Sequence, residues 1–226
     1  MTDFHNVENV EATLAPQYIV RVVVTPKVPQ RDAFTSAGQY VMASFAGTKP
    51  KPLAVASAPS SSTFTFLIKE PQAAAREKLL NLKPTDLEIS DPSGKGFPLE
   101  KAEGKPLLLA GVGSGLAPLL SVLLHLETQH ADFSKVTLLY GLPTKSALPE
   151  AAVLGRLQKM SLTTRYVFSK EAAENELKGY VQDHLVSLSL AADTVTFICG
   201  LRPMEEALIA GLQEQGMSDE QVFRNY

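Results

Sequence analysis

The chain has 226 residues, of which 45% are hydrophobic and 20% charged, so one large or two small globular domains fit it. With 21 basic and 24 acidic residues, its net charge of -3 gives no positive field for nucleic acid or an anionic membrane. The single cysteine, Cys199, excludes an internal disulfide and a cysteine-ligated cluster, and the four histidines show no metal-ligand spacing. We expect a soluble protein of a reducing compartment, either cytoplasm or plastid stroma.

The first half of the chain predicts antiparallel β structure. Short apolar or alternating segments are separated by prolines and glycines, which is typical of a small barrel or sandwich. The predicted elements are strands at Tyr18–Thr25, Gly38–Phe45, Pro52–Ala58, Thr63–Lys69 and Asp86–Ser90 and a helix at Ala73–Leu82. A Gly-, Pro- and Lys-rich loop over 91–106 follows, so we predict one domain at residues 1–103 and a second at 104–226.

The second half alternates apolar runs with helical patterns. The predicted strands are Pro106–Ala110, Val136–Tyr140, Thr164–Ser169 and Val195–Cys199, and the predicted helices are Leu116–Gln129, Pro149–Lys159, Val181–Leu188 and Met204–Gln215. This pattern predicts an α/β domain whose parallel sheet carries helices on both faces and binds ligands at the carboxyl ends of its strands. The long apolar segment 106–126 is broken by glycines and a proline, which favours a strand, a turn and a helix over a membrane span.

The most specific motif is AGVGSGLAPLLS at residues 110–121, between a predicted strand and its helix. Gly111, Gly113 and Gly115 allow a tight turn and the close approach of a ligand, and a helix N-terminus favours an anion such as a pyrophosphate. Pro118 lies in the first turn, where a missing N–H costs little. An ordinary glycine-rich turn is the alternative to nucleotide binding.

A second motif, FICGLRPMEEAL at residues 197–208, follows another predicted strand. Cys199 places a polarisable side chain at the carboxyl edge of the sheet, although a lone cysteine is more often a packing residue. Met204 opens the next helix, and we expect Glu205 and Glu206 to be solvated.

The order of a β domain, GVGSGLAP, YGLP, SKE, GYVQD, CGLRPM and a terminal aromatic resembles the ferredoxin-NADP reductase superfamily over nearly the whole chain. The resemblance implies an N-terminal barrel that binds FAD and a C-terminal domain that binds NAD(P)H. The residues implied to hold the NAD(P) pyrophosphate are Gly111, Gly113, Ser114, Gly115 and Pro118, with Gly141 after the second strand. Cys199 and Gly200 would lie beside the nicotinamide, with Met204 as a further cofactor contact. Tyr226 would cover the flavin, so Cys199 and Tyr226 are the candidate catalytic residues.

The same resemblance bears on the choice of dinucleotide. Plant-type members hold the adenosine 2′-phosphate with a Ser-Arg pair and with the Tyr and Gln of a Lys-x-Tyr-x-Gln segment. Ser169 and Lys170 match the pair, and Tyr180 and Gln182 match the segment that begins at Lys178. Lys170 and Lys178 supply positive charge but lack the planar fork of arginine. We expect NADPH, with NADH as the alternative.

The flavin half departs from the family pattern. The family's Arg-x-Tyr-Ser segment corresponds to KPLAVAS, so the arginine, tyrosine and serine are replaced by lysine, leucine and alanine. The predicted cofactor contacts here are Lys51, Pro52, Leu53, Ala54, Val55, Ala56 and Ser57. The glycine and hydroxyl that cradle the FAD pyrophosphate are missing from 72–76, where Arg76 is the remaining candidate. The DPSGKGF loop at 91–97 keeps the pattern of the electron-transfer subunits of dihydroorotate dehydrogenase and contributes Gly94.

These observations predict a flavin-dependent oxidoreductase that passes a hydride between NADPH, or NADH, and FAD. Electrons would then go to a protein or a small acceptor. The alternative is a non-catalytic reductase-like scaffold or nucleotide-binding subunit that has lost FAD and acts in a larger assembly.

Overall fold

A computed structural model of the chain describes residues 3–16, 18–174 and 176–225. Its strands are β1 (Phe4–Asn6), β2 (Asn9–Ala15), β3 (Ile19–Thr25), β4 (Tyr40–Phe45), β5 (Lys51–Ala54), β6 (Phe64–Lys69), β7 (Leu87–Ser90), β8 (Leu107–Val112), β9 (Val136–Leu142), β10 (Thr163–Phe168), β11 (Leu177–Lys178), β12 (Val195–Cys199) and β13 (Val222–Arg224). Its α-helices are α1 (Val28–Ala33), α2 (Ala73–Leu80), α3 (Leu116–Thr128), α4 (Ala151–Lys159) and α5 (Arg202–Glu214).

Two antiparallel sheets form the first half of the chain. One has the strand order β1-β7-β4-β5 and the other β2-β3-β6. Side chains alternate between the two faces of a strand, so Val20, Val22 and Val24 of β3 all point inward and are buried. They share one core with Val41 of β4 and Ile89 of β7, which shows that the two sheets enclose a common interior.

The second half is a six-stranded parallel sheet in the order β11-β10-β9-β8-β12-β13. Leu107 and Leu109 of β8 belong to the core that also contains residues of α3, whereas Leu108 and Ala110 belong to the core on the α5 side. Helices therefore cover both faces of the sheet. The predicted fold class, an antiparallel β domain followed by an α/β domain, is confirmed.

The two halves are packed against each other. The rings of Phe97 and Phe197 stack at 4.6 Å with an interplanar angle of 8°. The buried Ser121 hydroxyl on α3 donates a hydrogen bond to the Ser57 carbonyl oxygen at 2.7 Å. One hydrophobic cluster contains residues from both halves, which fixes the strand ends of the parallel sheet next to the first half. The division at residues 103 and 104 itself stays a prediction.

Several predicted elements differ from those observed. The strand predicted at Pro52–Ala58 ends at Ala54, because the Val55 and Ala56 amides turn to bond the carbonyls of Gln39 and Thr65 instead. The helix predicted at Val181–Leu188 is wrong, since the segment forms two short 3₁₀ turns. The strands β1, β2, β11 and β13 and the helix α1 were not predicted. In the described ranges no helix has the length and apolar character needed to cross a bilayer.

Candidate dinucleotide and flavin site

The glycine motif forms the turn between β8 and α3, as predicted. Gly113 has a φ of +57°, in the left-handed region that favours glycine, and no atom lies within 4 Å of the place where its Cβ would stand. Ser114 beside it is exposed. This turn therefore leaves the Cα of Gly113 open to a ligand and presents a hydroxyl at the start of a 13-residue helix, an arrangement suited to an anionic group.

Gly111 and Gly115 have a different role from Gly113. A Cβ on Gly111 would lie 2.6 Å from the Cys199 carbonyl oxygen, and a Cβ on Gly115 would lie 2.7 Å from the Cys199 carbonyl carbon. Both glycines thus allow the β8–α3 turn to pack directly on the end of β12. Gly141 is also a packing position, since its Cβ would stand 2.8 Å from a methyl carbon of Val112.

Tyr140, on β9, supports the turn between β8 and α3. Its hydroxyl donates a hydrogen bond to the Gly113 carbonyl oxygen at 2.5 Å, and its ring is fully buried. Burial raises the pKa of the Tyr140 phenol, so the group stays a neutral donor. The Gly113 peptide is therefore held in place by the neighbouring strand β9.

Cys199 ends β12 beside this turn, with its side chain largely buried. Burial raises the pKa of the thiol to about 12, the negative charge of Glu205 adds to that shift, and a hydrogen bond with Asn225 opposes it. Such a thiol is protonated at neutral pH and unsuited to nucleophilic chemistry. Gly200 follows, and a Cβ there would lie 2.9 Å from Val112 Cγ2. Met204, on α5, is buried in the hydrophobic core between this helix and the sheet.

A cavity of about 590 Å³ lies at the carboxyl ends of β9 and β10. These strand ends belong to the same edge of the parallel sheet as the glycine turn after β8. Its lining residues are Thr144, Lys145, Ser146, Lys170, Glu171, Ala172, Ala173, Glu176 and Lys178. Lys145 Nζ pairs with Glu176 Oε1 at 3.0 Å. The Ala173 N–H and Lys145 hold the pKa of Glu176 below its usual value, so this pair is internally neutralised. Within the described part of the chain, Lys170 and Lys178 form no ion pair, so their charges are available to a ligand.

The other residues predicted to bind the dinucleotide do not line this cavity. Ser169 is exposed at the end of β10, and the Tyr180 side chain is 63% exposed. Gln182 is half-buried, and its side-chain oxygen has no hydrogen-bond partner among the described residues. Pro118 is buried in the first turn of α3.

The predicted flavin segment divides into an open and a closed part. Lys51 and Pro52 are exposed, and Leu53 and Ala54 are half-buried on β5, the edge strand of its sheet. The side chains that follow, Val55, Ala56 and Ser57, are buried in the protein. The Ser57 hydroxyl donates to the Thr63 carbonyl oxygen at 2.7 Å and accepts the Thr65 N–H at 3.3 Å. Only the first four residues of the segment offer side chains to a ligand.

The Arg76 side chain on α2 already has partners within the protein. Its Nη1 donates hydrogen bonds to the carbonyl oxygens of Glu70 and Pro71 at 2.9 and 3.0 Å, and its guanidinium lies over the ring of Tyr18. Gly94 has a φ of +86°, and its carbonyl oxygen accepts a hydrogen bond from Gln39. Tyr226 lies outside the described residues, so its predicted place over the flavin stays a prediction.

Several site residues were missed from the sequence, among them Glu205 and Asn225. Glu205, expected to be solvated, is 1% exposed and accepts the Gly200 N–H at 3.0 Å, so that expectation was wrong. Its position three residues before Leu208 and seven before Leu212, both buried, was the signal that could have identified it. Asn225, which contacts Cys199, carried no such signal. Among the residues described, no cluster of His, Cys, Asp and Glu could hold a metal ion.

Comparison with known proteins agrees with this geometry. Residues 108–209 match the family model of the oxidoreductase NAD-binding domain. The gamma subunit of sulfhydrogenase 1 from Pyrococcus furiosus is 26% identical over 88% of this chain and 70% of its own length. The ferredoxin–NAD(P)(+) reductase component of the naphthalene 1,2-dioxygenase system of Pseudomonas putida is 27% identical over 83% of this chain and 59% of its own length. The chain thus spans about 60 to 70% of these two relatives.

The fold is found in solved structures. A ferredoxin NADP⁺ reductase from Neisseria gonorrhoeae, with bound FAD and NADP, superposes with a TM-score of 0.82 at 19% identity, over 99% of this chain and 98% of that one. The similarity covers the antiparallel half, the parallel sheet and the junction between them. Residues 108–209 thus match an oxidoreductase NAD-binding domain, and the whole chain has the fold of the ferredoxin NADP⁺ reductase structure.

Proposed function

We propose that this protein is a flavin-dependent oxidoreductase that transfers a hydride between NADPH and FAD and passes the electrons to a protein or small acceptor. The observation that carries the proposal is the juxtaposition of the open Gly113 turn with Cys199 at one sheet edge. Asn225, which follows β13, connects this edge of the sheet to the first half of the chain. Its side-chain oxygen lies 3.0 Å from the position that a Cβ on Gly38 would occupy. The site thus joins a dinucleotide-binding turn to the predicted flavin domain.

The dinucleotide fits the residues of the second half. Gly113 and Ser114 offer backbone and a hydroxyl to the pyrophosphate, and the exposed Tyr180 ring offers a flat surface to the adenine. Lys170 and Lys178, which form no ion pair among the described residues, place positive charge at the cavity at the ends of β9 and β10, which Glu171 also lines. A monoester phosphate is the ligand group that gains most from two such charges, which favours NADPH over NADH.

The first half also fits a flavin, although with few side-chain contacts. As an edge strand of its sheet in the described part of the chain, β5 has backbone groups on one side that no neighbouring strand pairs, and these suit the polar edge of an isoalloxazine, although Pro52 contributes no N–H. Leu53 and Ala54 offer apolar surface to its ring. The α2 helix begins at Ala73 without a side-chain cap, so its first N–H groups are available to a pyrophosphate.

Bound FAD would supply the two-electron and one-electron chemistry that the side chains lack. The protein would align the two ring systems and exclude water. Cys199, kept as a neutral thiol, would border the nicotinamide without reacting, and the stacked Phe97 and Phe197 would hold the two halves at a fixed separation. In this proposal Tyr226 shields the flavin until the nicotinamide displaces it.

A second candidate function, a reductase-like scaffold without flavin, is favoured by particular contacts of the first half. The Arg76 guanidinium is occupied by two backbone carbonyl oxygens, and the Glu70 carboxylate accepts the Gln72 N–H at the start of α2. An anion at that position opposes the binding of a pyrophosphate. The sulfhydrogenase gamma subunit is a relative that belongs to an assembly, which gives this alternative a precedent.

The two candidates differ in one reconstitution experiment. The purified chain is mixed with FAD, freed of unbound flavin, and assayed for NADPH-dependent reduction of ferricyanide. The proposal predicts retained flavin absorption and turnover, with NADPH used in preference to NADH. A protein that retains no flavin and has no activity, yet still binds NADP⁺, would establish the scaffold instead.

A further inference from the structure

The peptide bond between Cys199 and Gly200 lies at the centre of the dinucleotide site. On one side its carbonyl oxygen packs against Gly111 and Gly115, which have no side chains to keep it away. The Gly200 Cα is in turn covered by Val112 and Met204. Any tilt of this peptide would therefore move the turn that carries Gly113.

The opposite side of the same peptide is held by Glu205. The Gly200 N–H donates to Glu205 Oε1 at 3.0 Å, and Glu205 is 1% exposed. A buried carboxylate is costly unless it is hydrogen-bonded, and the Gly200 N–H provides such a bond. Glu205 also lies in the first turn of α5, where the positive end of the helix dipole favours an anion.

We propose that Glu205 is a positioning residue, whose buried carboxylate fixes the Cys199–Gly200 peptide against the glycine turn and so sets the geometry in which the dinucleotide binds. The proposal rests on the proposed function for its ligand. The charge of Glu205 also helps to keep the Cys199 thiol protonated, which agrees with a carboxylate located close to this peptide.

Two variants separate the position of the hydrogen-bonding group from its charge. Glu205→Gln keeps the length of the side chain and an oxygen acceptor but removes the charge. Glu205→Asp keeps the charge but is one methylene shorter, so its carboxylate no longer reaches the Gly200 N–H. Glu206→Gln is the matched control, since Glu206 is exposed on the same turn and pairs with Arg202.

The readouts are amide hydrogen exchange of Gly200 without ligand, and the Kd for NADP⁺ by calorimetry. For Glu205→Asp we expect a loss of Gly200 protection and a roughly tenfold higher Kd, the size of one lost hydrogen bond to a charged group. For Glu205→Gln, the Gly200 protection and the Kd for NADP⁺ should both stay within about twofold of wild type. If the charge of Glu205 were the essential property, this variant would lose both. Glu206→Gln should change neither quantity.

The outcomes separate this proposal from the proposed function. Wild-type protein that binds no NADP⁺ would contradict the proposed function, whereas the exchange data would still report the Glu205 contact. If wild type binds NADP⁺ and Glu205→Asp binds it equally well, Glu205 is not a positioning residue. Should Glu205→Asp fail to fold, Glu205→Ala, which removes the acceptor, decides: in a folded protein, lost Gly200 protection together with a higher Kd supports the proposal, and unchanged protection and affinity overturn it.

Discussion

Replacing Gly115 by alanine places a methyl group in the closest contact of the site. The added Cβ would overlap the Cys199 carbonyl group, with 2.7 Å to its carbon and 3.1 Å to Gly200 Cα. These are backbone atoms, so no side-chain rotation relieves the overlap. Overpacking of this kind typically costs about 1–3 kcal/mol, and we expect Gly115→Ala to lower the free energy of unfolding by that amount.

Gly113→Ala, two residues earlier, is the informative comparison. Its Cβ would meet no atom within 4 Å, so the cost is conformational: about 1–2 kcal/mol for a φ of +57°. The new methyl group would, however, stand where the pyrophosphate is proposed to approach. We expect NADP⁺ affinity to fall roughly tenfold or more in a protein that is only moderately destabilised.

Gly155→Ala provides the control for both substitutions. Gly155 lies within α4, with no atom within 4 Å of its Cβ position, so alanine there should stabilise the protein by roughly 0.8–1 kcal/mol. Urea unfolding measures the three stabilities, and calorimetry with NADP⁺ measures binding. A Gly115→Ala variant as stable as wild type would refute the close packing of the two turns. Unchanged NADP⁺ affinity in Gly113→Ala would refute the proposed location of the pyrophosphate.

Three further predictions concern the charges, the thiol and the junction. Lys170→Ala and Lys178→Ala should each weaken NADP⁺ binding several-fold and leave NAD⁺ binding unchanged, because both lysines lack a carboxylate partner among the described residues; titration calorimetry measures both dissociation constants. Cys199, with a thiol pKa of about 12, should react with iodoacetamide at pH 8 about a thousand times more slowly than a thiol of ordinary pKa, as followed by mass spectrometry. Ser121→Ala should lower the free energy of unfolding by about 1–3 kcal/mol in urea titrations, since it leaves the buried Ser57 carbonyl oxygen without this donor.

The predictions for the lysines and for Ser121 each have a control within the chain. Lys159→Ala removes a lysine from the end of α4, away from the cavity residues, and should not alter the preference between the two dinucleotides. Ser187→Ala breaks a hydrogen bond of the same 2.7 Å length at an exposed position and should cost much less than Ser121→Ala. Equal losses of unfolding free energy in Ser121→Ala and Ser187→Ala would contradict the burial of the Ser121 hydrogen bond. Fast alkylation of folded protein would contradict the burial of the Cys199 thiol.

The alternation of strands and helices in the second half could be predicted because β8, β9 and β12 are apolar runs that are buried along most of their length. The strand Val195–Cys199 was predicted with its observed bounds. In contrast, β2 was missed because its residues are exposed or half-buried, which leaves no apolar pattern to detect. Val181, Leu185 and Leu188 have helical spacing, yet two 3₁₀ turns bring Val181 and Leu185 into the core equally well.

The sequence predicted the place of the glycine turn and of Cys199 in the fold but not the residues that support them, and the binding roles of these residues stay a prediction. Glycine spacing identified the turn between β8 and α3, but the different roles of Gly111 and Gly113 depend on what lies opposite each of them in space. Asn225 reaches Cys199 only because β13 pairs with β12, a contact between distant segments that a sequence pattern does not encode. Lys145 likewise enters the cavity from the loop after β9.

In the proposed function, this chain holds a flavin that NADPH can reduce. Anaerobic titration of the FAD-reconstituted protein with NADPH, followed by visible absorption, measures this reduction. We expect loss of the oxidised flavin band with one NADPH consumed for each bound FAD. A bound flavin whose spectrum does not change on addition of NADPH, in a protein that binds NADP⁺, would contradict the proposed function.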